Sequence, residues 1–228
     1  MPSLTVIVPF YNEEIFLSES LHRLINTNLA DKILLIDDCS NDKSVEIAKK
    51  FENNYKNISL IQSSVNSGKG GAMSLSVNNL DTDFVVVHDA DLEYNPSDLI
   101  EMFNLAVDNP EHLILGTRFV GKKKRKNIYK RTYFANQFLS MFFSIIYGKK
   151  ITDVATCYKM MSSNNFKKIE ITENGFAVEI EILSKFLKTT KDLIEYPIDY
   201  TGRSYQEGKK IKLMDGFKYV YSIVKYRF

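Results

Sequence analysis

Five short runs of apolar, largely β-branched residues recur along the first half of the chain: Leu4–Val8, Ile33–Ile36, Ile58–Ile61, Phe84–Val87 and Leu113–Leu115. Between them lie stretches with helical periodicity. Glu13–Leu24 places Leu17, Leu21 and Leu24 on one face with Phe16 beside them; Ser44–Phe51 carries Val45, Ile47, Ala48 and Phe51; Pro96–Val107 carries Leu99, Ile100, Phe103 and Val107. Continuous apolar strands alternating with amphipathic helices predict an α/β fold, a mainly parallel sheet flanked by helices on both faces. Asn95 before Pro96 reads as an N-cap followed by the first helical residue, and Ser40 or Asn41 reads as the cap of the second helix.

After residue 120 the rhythm changes. A basic loop, GKKKRKNIYKR, leads to a long apolar helix over Tyr133–Tyr147 and then to shorter mixed elements. No repeat and no Gly/Ser-rich or Pro-rich linker separates the parts. A single domain over 1–228 is expected, with 1–120 as the ligand-binding half and 121–228 as an elaboration on the same sheet.

In an open parallel sheet, ligands bind beyond the carboxyl ends of the strands, and this chain gathers its polar residues there. PFYNEE follows the first run, Asp37-Asp38 the second, NSGKGG the third, Asp89-Ala90-Asp91 with Glu93 the fourth, and Gly116-Thr117-Arg118 the fifth. Asp37 and Asp38 taken alone are also helix-capping residues, and NSGKGG lacks the spacing of a phosphate loop. His88 has no second histidine near it in sequence and reads as a strand-end residue. The Asp89/Asp91 pair carries more information. Two carboxylates at the mouth of a buried strand repel unless a cation or basic group lies between them. Carboxylate oxygens suit Mg²⁺ or Mn²⁺, which would bridge a nucleotide's diphosphate.

VIVPFYNEE, ILLIDDCSNDKS, NSGKGGA, VVVHDADLEYNP, LGTRF, TCYKMM, GFAVEIEI and YTGRSYQEGKKI occur in this order. The ordered set resembles the family-two glycosyltransferases of the GT-A fold, a Rossmann-like fold. It is most similar to their branch containing dolichol-phosphate mannose synthase and bacterial polyprenyl-phosphate glycosyltransferases. The resemblance implies that Pro9, Tyr11 and Glu13 line a nucleoside pocket, that Asp38 or Asp37 reaches the base or ribose, and that Lys69 positions the nucleotide. It implies Asp89 and Asp91 as ligands of Mg²⁺ or Mn²⁺, with Glu93 as a further ligand. Arg118, Arg131, Arg203 and Lys209 fall in segments resembling those that bring basic groups to donor and acceptor phosphates; Asp91, Arg118 and Arg131 would serve catalysis. The implied reaction is inverting transfer of a hexose, mannose or glucose, from GDP-mannose or a UDP-hexose to a polyprenyl phosphate.

The chemistry supports the assignment independently. Departure of a nucleoside diphosphate builds negative charge that a metal and basic side chains stabilise. A lipid phosphate is already anionic and needs positioning more than deprotonation, which suits a chain with few histidines. A saccharide or protein hydroxyl acceptor would instead need a carboxylate base, for which Glu179 and Glu181 are the candidates. A non-catalytic nucleotide-binding scaffold at a membrane is a third reading. A phosphoacceptor receiver is too short for this length and does not use D-x-D spacing.

Composition bounds the partners. Thirty basic and 28 acidic residues leave a net charge of +2, so the total demands no nucleic acid. Cys39 and Cys157 form no C-x-x-C, which fits a reducing cytoplasm. The start lacks a signal-peptide pattern, and no window holds about eighteen uninterrupted apolar residues. The basic run from Lys122 to Lys126, with Lys130 and Arg131, precedes the apolar helix, and DGFKYVYSIVKYRF forms a second basic, aromatic amphipathic segment. Both suit an anionic bilayer surface and equally suit packing on the sheet, and the two hold together if only one edge faces lipid; a peripheral enzyme on the cytoplasmic face of a membrane is expected.

Overall fold

The computed structural model describes residues 1–121, 123–127, 129–189, 192–203 and 213–228. Its main sheet contains β1 (Leu4–Phe10), β2 (Lys32–Asp37), β3 (Ile58–Gln62), β4 (Phe84–Val87), β5 (Leu113–Thr117), β7 (Lys159–Ser162) and β8 (Leu193–Pro197). The strand order is β3-β2-β1-β4-β7-β5-β8. The pairs β1/β2, β1/β4, β2/β3 and β5/β8 are parallel, and β7 runs antiparallel between β4 and β5. The sheet is therefore mainly parallel, and two of its strands come from the segment beyond residue 120. The two-residue strands β6 (Arg125–Lys126) and β9 (Tyr200–Thr201) pair in a separate small sheet.

Alternate residues of each central strand feed opposite cores, as the two-residue strand period requires. Val6, Val8, Leu35 and Val86 pack against α1 (Leu17–Ile25), α2 (Ser44–Asn54) and α4 (Asp98–Asp108) through Leu21, Phe51 and Met102. Ile7, Leu34, Ile36, Val85 and Val87 face the other core, which holds buried residues of α3 (Gly68–Ser76), α5 (Lys130–Tyr147), α6 (Ser163–Lys167), α7 (Val178–Thr189) and α8 (Leu213–Lys225). Helices on both faces leave the strand ends as the place where polar groups can gather.

Several helix boundaries differ from expectation for local reasons. The first helix starts at Leu17, because residues 13–16 form a tight turn in which Phe16 and Leu17 both donate to the Glu13 carbonyl. Pro96 precedes the fourth helix rather than opening it: Asn95 Oδ1 accepts from the Ser97 amide, making an Asx turn one step before Asp98. Neither Ser40 nor Asn41 caps α2. Asp42 accepts from the Ser44 amide, while Ser40 Oγ takes the Asn12 amide and Asn12 Oδ1 takes the Asn41 amide, tying the loops after β1 and β2 together. The long helix begins at Lys130 and ends on Gly148 at φ +64°, a left-handed C-terminal stop that glycine adopts without strain.

Candidate active site

A cavity of about 290 Å³ opens beyond the carboxyl ends of β1, β2 and β4. Pro9, Tyr11, Glu13, Asp38, Lys69, Asp89, Asp91, Glu93, Arg118 and Arg203 all border it, so the structure brings most of the expected site residues together. Asp37 does not reach it: its carboxylate is buried and accepts from the Ser40 amide, shaping the turn after β2. Arg131 does not reach it either. On α5 it is Thr132 and Asn136, one helical turn apart, that line the cavity, and Arg131 lies about 100° around the helix and is exposed. Lys209 and Lys122 lie outside the described residues.

Three loops fix the acids. The four residues of β4 are buried and lead through His88 to Asp89 and Asp91. Asp89 Oδ1 is 2.6 Å from Lys69 Nζ, and Lys69 also lies 2.7 Å from Glu179 Oε1 on α7. Burial alone would raise the Asp89 carboxyl, but the Lys69 ammonium outweighs it and holds the acid below its ordinary value. Burial likewise opposes the charge on Lys69, and Asp89 with Glu179 more than reverse this, raising it well above its usual value. Asp91 behaves oppositely. Burial, then the charges of Glu93 and Asp89, push it up to about 7, although Arg203 Nη2 stands 3.0 Å from its Oδ2. Arg203 also grips Glu13 at 3.1 and 3.3 Å.

Asp38 anchors the loop that carries Lys69. Its two oxygens accept from the Ser67 and Gly68 amides at 2.8 Å each. The amides of Gly70 and Gly71 donate to the Asn174 carbonyl, so these four groups of NSGKGG are engaged within the protein. The loop presents the Lys69 side chain, not an open nest of amides. Gly70 is required by close approach: a Cβ there would stand 1.8 Å from the Glu173 carbonyl oxygen.

Glu93 has a different position from that of an open metal ligand. Its Oε2 accepts from the Tyr200 hydroxyl at 2.6 Å and its Oε1 from the Arg203 amide at 2.7 Å, while its carbonyl takes the Thr201 amide. Both oxygens are committed to the strap at 200–203 that delivers Arg203. Among the described residues no group of three His, Cys, Asp or Glu side chains converges as a metal site. The donor set that fits a divalent cation is thus Asp91 with Asp89: two carboxylates at one strand end, one of them raised by burial and neighbouring acids beyond what its arginine offsets.

Arg118 is buried and held bidentately by Asp153, with Nε 2.7 Å from Oδ2 and Nη2 2.8 Å from Oδ1, and its guanidinium lies over the Tyr200 ring. His88 is buried between Ser20 and Tyr158, and burial lowers it to about 4, so it is a neutral packing residue. The two helix acids part company. Glu179 borders the cavity, whereas Glu181 accepts from the Thr172 and Glu173 amides and from Lys185 away from it. Sequence reasoning missed Asp153, Lys159 and the aromatic wall of Tyr94 and Tyr200; a lysine beginning the apolar strand of Met160 and Met161 was the one signal available for Lys159.

The sequence matches the family Glycosyl transferase family 2 over residues 5–170. The chain is similar to a UDP-N-acetylglucosamine–dolichyl-phosphate N-acetylglucosaminyltransferase of Methanococcus voltae, 26% identical over 96% of this chain and 94% of the relative. It is 25% identical to a dolichol-phosphate mannosyltransferase of Mycosarcoma maydis over 100% of this chain and 80% of that one. Among solved structures it superposes on glucosyl-3-phosphoglycerate synthase from Mycobacterium tuberculosis in complex with Mn²⁺, UDP-glucose and phosphoglyceric acid. That likeness has a TM-score of 0.75 at 14% identity, covering 99% of this chain and 80% of that one, and it establishes the GT-A fold.

Proposed function

The chain belongs to glycosyl transferase family 2 and is a glycosyltransferase, and from that premise we propose that it transfers a hexose from a nucleotide sugar to a polyprenyl phosphate at a membrane surface. The observation that carries the donor half is the Asp89/Asp91 pair facing the cavity at one strand end, with Asp91 pushed up to about 7 by burial and then by the charges of Glu93 and Asp89. Asp91 and Asp89 would hold Mg²⁺ or Mn²⁺. A bound cation would neutralise charge developing on the departing diphosphate. Pro9, Tyr11 and Asp38 border the space for the nucleoside, and Lys69 stands where it can meet phosphate oxygens.

In the inverting step an acceptor phosphate oxygen forms the new bond to the anomeric carbon as the bond from that carbon to the diphosphate oxygen breaks. Arg118, held by Asp153, and Arg203, held by Glu13 with its backbone amide on Glu93, are guanidinium groups fixed in advance, so little reorganisation is needed as charge moves. A phosphate acceptor is favoured over a hydroxyl because Glu179 is ion-paired to both Lys69 and Lys159, which makes it a poor base, and Glu181 stands elsewhere. The relatives named for dolichyl phosphate support the same acceptor class, with the sugar left as a hexose or N-acetylhexosamine.

The lipid side is supported by α5 and α8. Thr132, Asn136 and Tyr219 from these helices border the cavity, while Phe134, Phe138, Met141 and Ile145 of α5 and Phe217 and Tyr221 of α8 are exposed. Basic residues Lys124, Arg125, Lys126, Lys130 and Arg131 flank that apolar surface. Such a face suits an anionic bilayer. No helix among the described residues is long and apolar enough to cross a membrane. The test is transfer of label from GDP-mannose, UDP-glucose and UDP-N-acetylglucosamine to a short-chain polyprenyl phosphate against soluble saccharides. Label in the lipid phosphate is expected; transfer to saccharides alone would overturn the acceptor assignment.

A further inference from the structure

Lys159 opens β7 and its side chain is 3% exposed, yet it does not border the cavity. Its ammonium lies 2.5 Å from Glu179 Oε2 and donates to the Thr156 carbonyl. The other Glu179 oxygen is 2.7 Å from Lys69, and Lys69 is 2.6 Å from Asp89. Four alternating charges, from β7, α7, α3 and the turn after β4, thus form a line from the protein interior to the cavity wall.

We infer that Lys159 is a positioning residue for donor binding: by holding Glu179 it sets where Lys69 presents its ammonium to the diphosphate of the donor. The inference rests on the donor-site reading above. A carboxylate with a single ammonium partner draws that partner fully to itself. With Lys159 on its second oxygen, Glu179 is shared between two cations, and Lys69 keeps the capacity to meet a third anion. Were Asp89 to hold a cation, its hold on Lys69 would slacken and Glu179 would be the anchor that stops the flexible lysine stem from following. Without Lys159, Glu179 would draw Lys69 inward, away from the phosphate position.

A plain structural tie between β7 and α7 would use the same contacts, and the two roles differ in what they do to ligands. Loss of a tie weakens every ligand of the cavity alike; loss of positioning weakens only ligands that carry the diphosphate. The experiment uses the full chain with Mn²⁺ and measures UDP and GDP by calorimetry, and uridine and guanosine by saturation-transfer NMR. Lys159→Met is expected to weaken the bound diphosphate about tenfold while leaving the nucleoside unchanged, with Lys159→Arg restoring binding to within about threefold. Lys159→Gln, which keeps a donor for the Thr156 carbonyl but no charge, is expected to match Lys159→Met and carries the comparison if the methionine variant does not fold. Wild-type diphosphate affinity in both variants, or equal losses for diphosphate and nucleoside, would overturn the inference. A wild-type protein that binds neither UDP nor GDP would overturn the donor-site reading itself, a result distinct from wild-type binding that the variants leave untouched.

Discussion

Glu93→Met separates two roles for a carboxylate at this position. As a metal ligand, its loss would cost cation affinity; as the anchor of the 200–203 strap, its loss would free Arg203. In the structure Oε1 accepts the Arg203 amide at 2.7 Å and Oε2 the Tyr200 hydroxyl at 2.6 Å. Methionine keeps much of the length but offers no oxygen acceptor, so both bonds are lost. A hydrogen bond to a charged acceptor contributes roughly 1.5–3 kcal/mol, which corresponds to about a 10- to 100-fold change in a local opening equilibrium. Amide hydrogen exchange read at Arg203 is therefore expected to speed up by that factor. The Tyr200 and Gly202 amides, which donate to the Lys124 and Lys126 carbonyls, should change much less. Mn²⁺ affinity, measured in the same samples, should fall by less than about tenfold, because removing this charge also relieves Asp91. Unchanged exchange at Arg203 together with abolished Mn²⁺ binding would refute the anchor and return Glu93 to the metal.

Asp153→Ala leaves the buried Arg118 guanidinium without its counter-charge and should destabilise the fold by about 3–5 kcal/mol in denaturant titrations; a loss under about 1 kcal/mol would contradict the pairing. His88 has a folded value of about 4 against an ordinary 6.5, so its neutral form stabilises the fold fully above pH 6.5 and that contribution is lost as pH falls toward 4, about 3 kcal/mol in all. Asp91, raised to about 7, has the opposite slope over the same window, so the effect is to be read as the difference between wild type and His88→Gln across a pH series of chemical denaturation. Parallel stability curves for the two proteins would show that His88 is not held neutral.

The fold was legible because β1, β2 and β4 are continuous apolar runs whose faces both end in cores. The antiparallel β7 was not, since a four-residue strand that opens with a buried lysine has no apolar pattern long enough to read, and its pairing depends on residues of β5 and β4 that lie about 44 to 78 positions away. In the site, Asp89, Asp91 and Lys69 were readable from their place after strands. The jobs of Asp37 and Glu93 were not, because acids that accept turn amides and acids that face a ligand look the same in sequence. Arg131 was displaced from the site by a single residue of helix phase. Asp153 and Lys159 act through partners on other elements, and that pairing is set by the tertiary fold alone.

The central claim is that Asp91 serves a cation-assisted nucleoside diphosphate site. Its most direct test is calorimetric titration of UDP and of GDP, each with and without Mn²⁺, into wild type and Asp91→Asn. One of the two is expected to bind wild type, about tenfold or more tightly with Mn²⁺, and that gain should vanish in Asp91→Asn. Equal binding with and without Mn²⁺, or a full Mn²⁺ gain in Asp91→Asn, would contradict it.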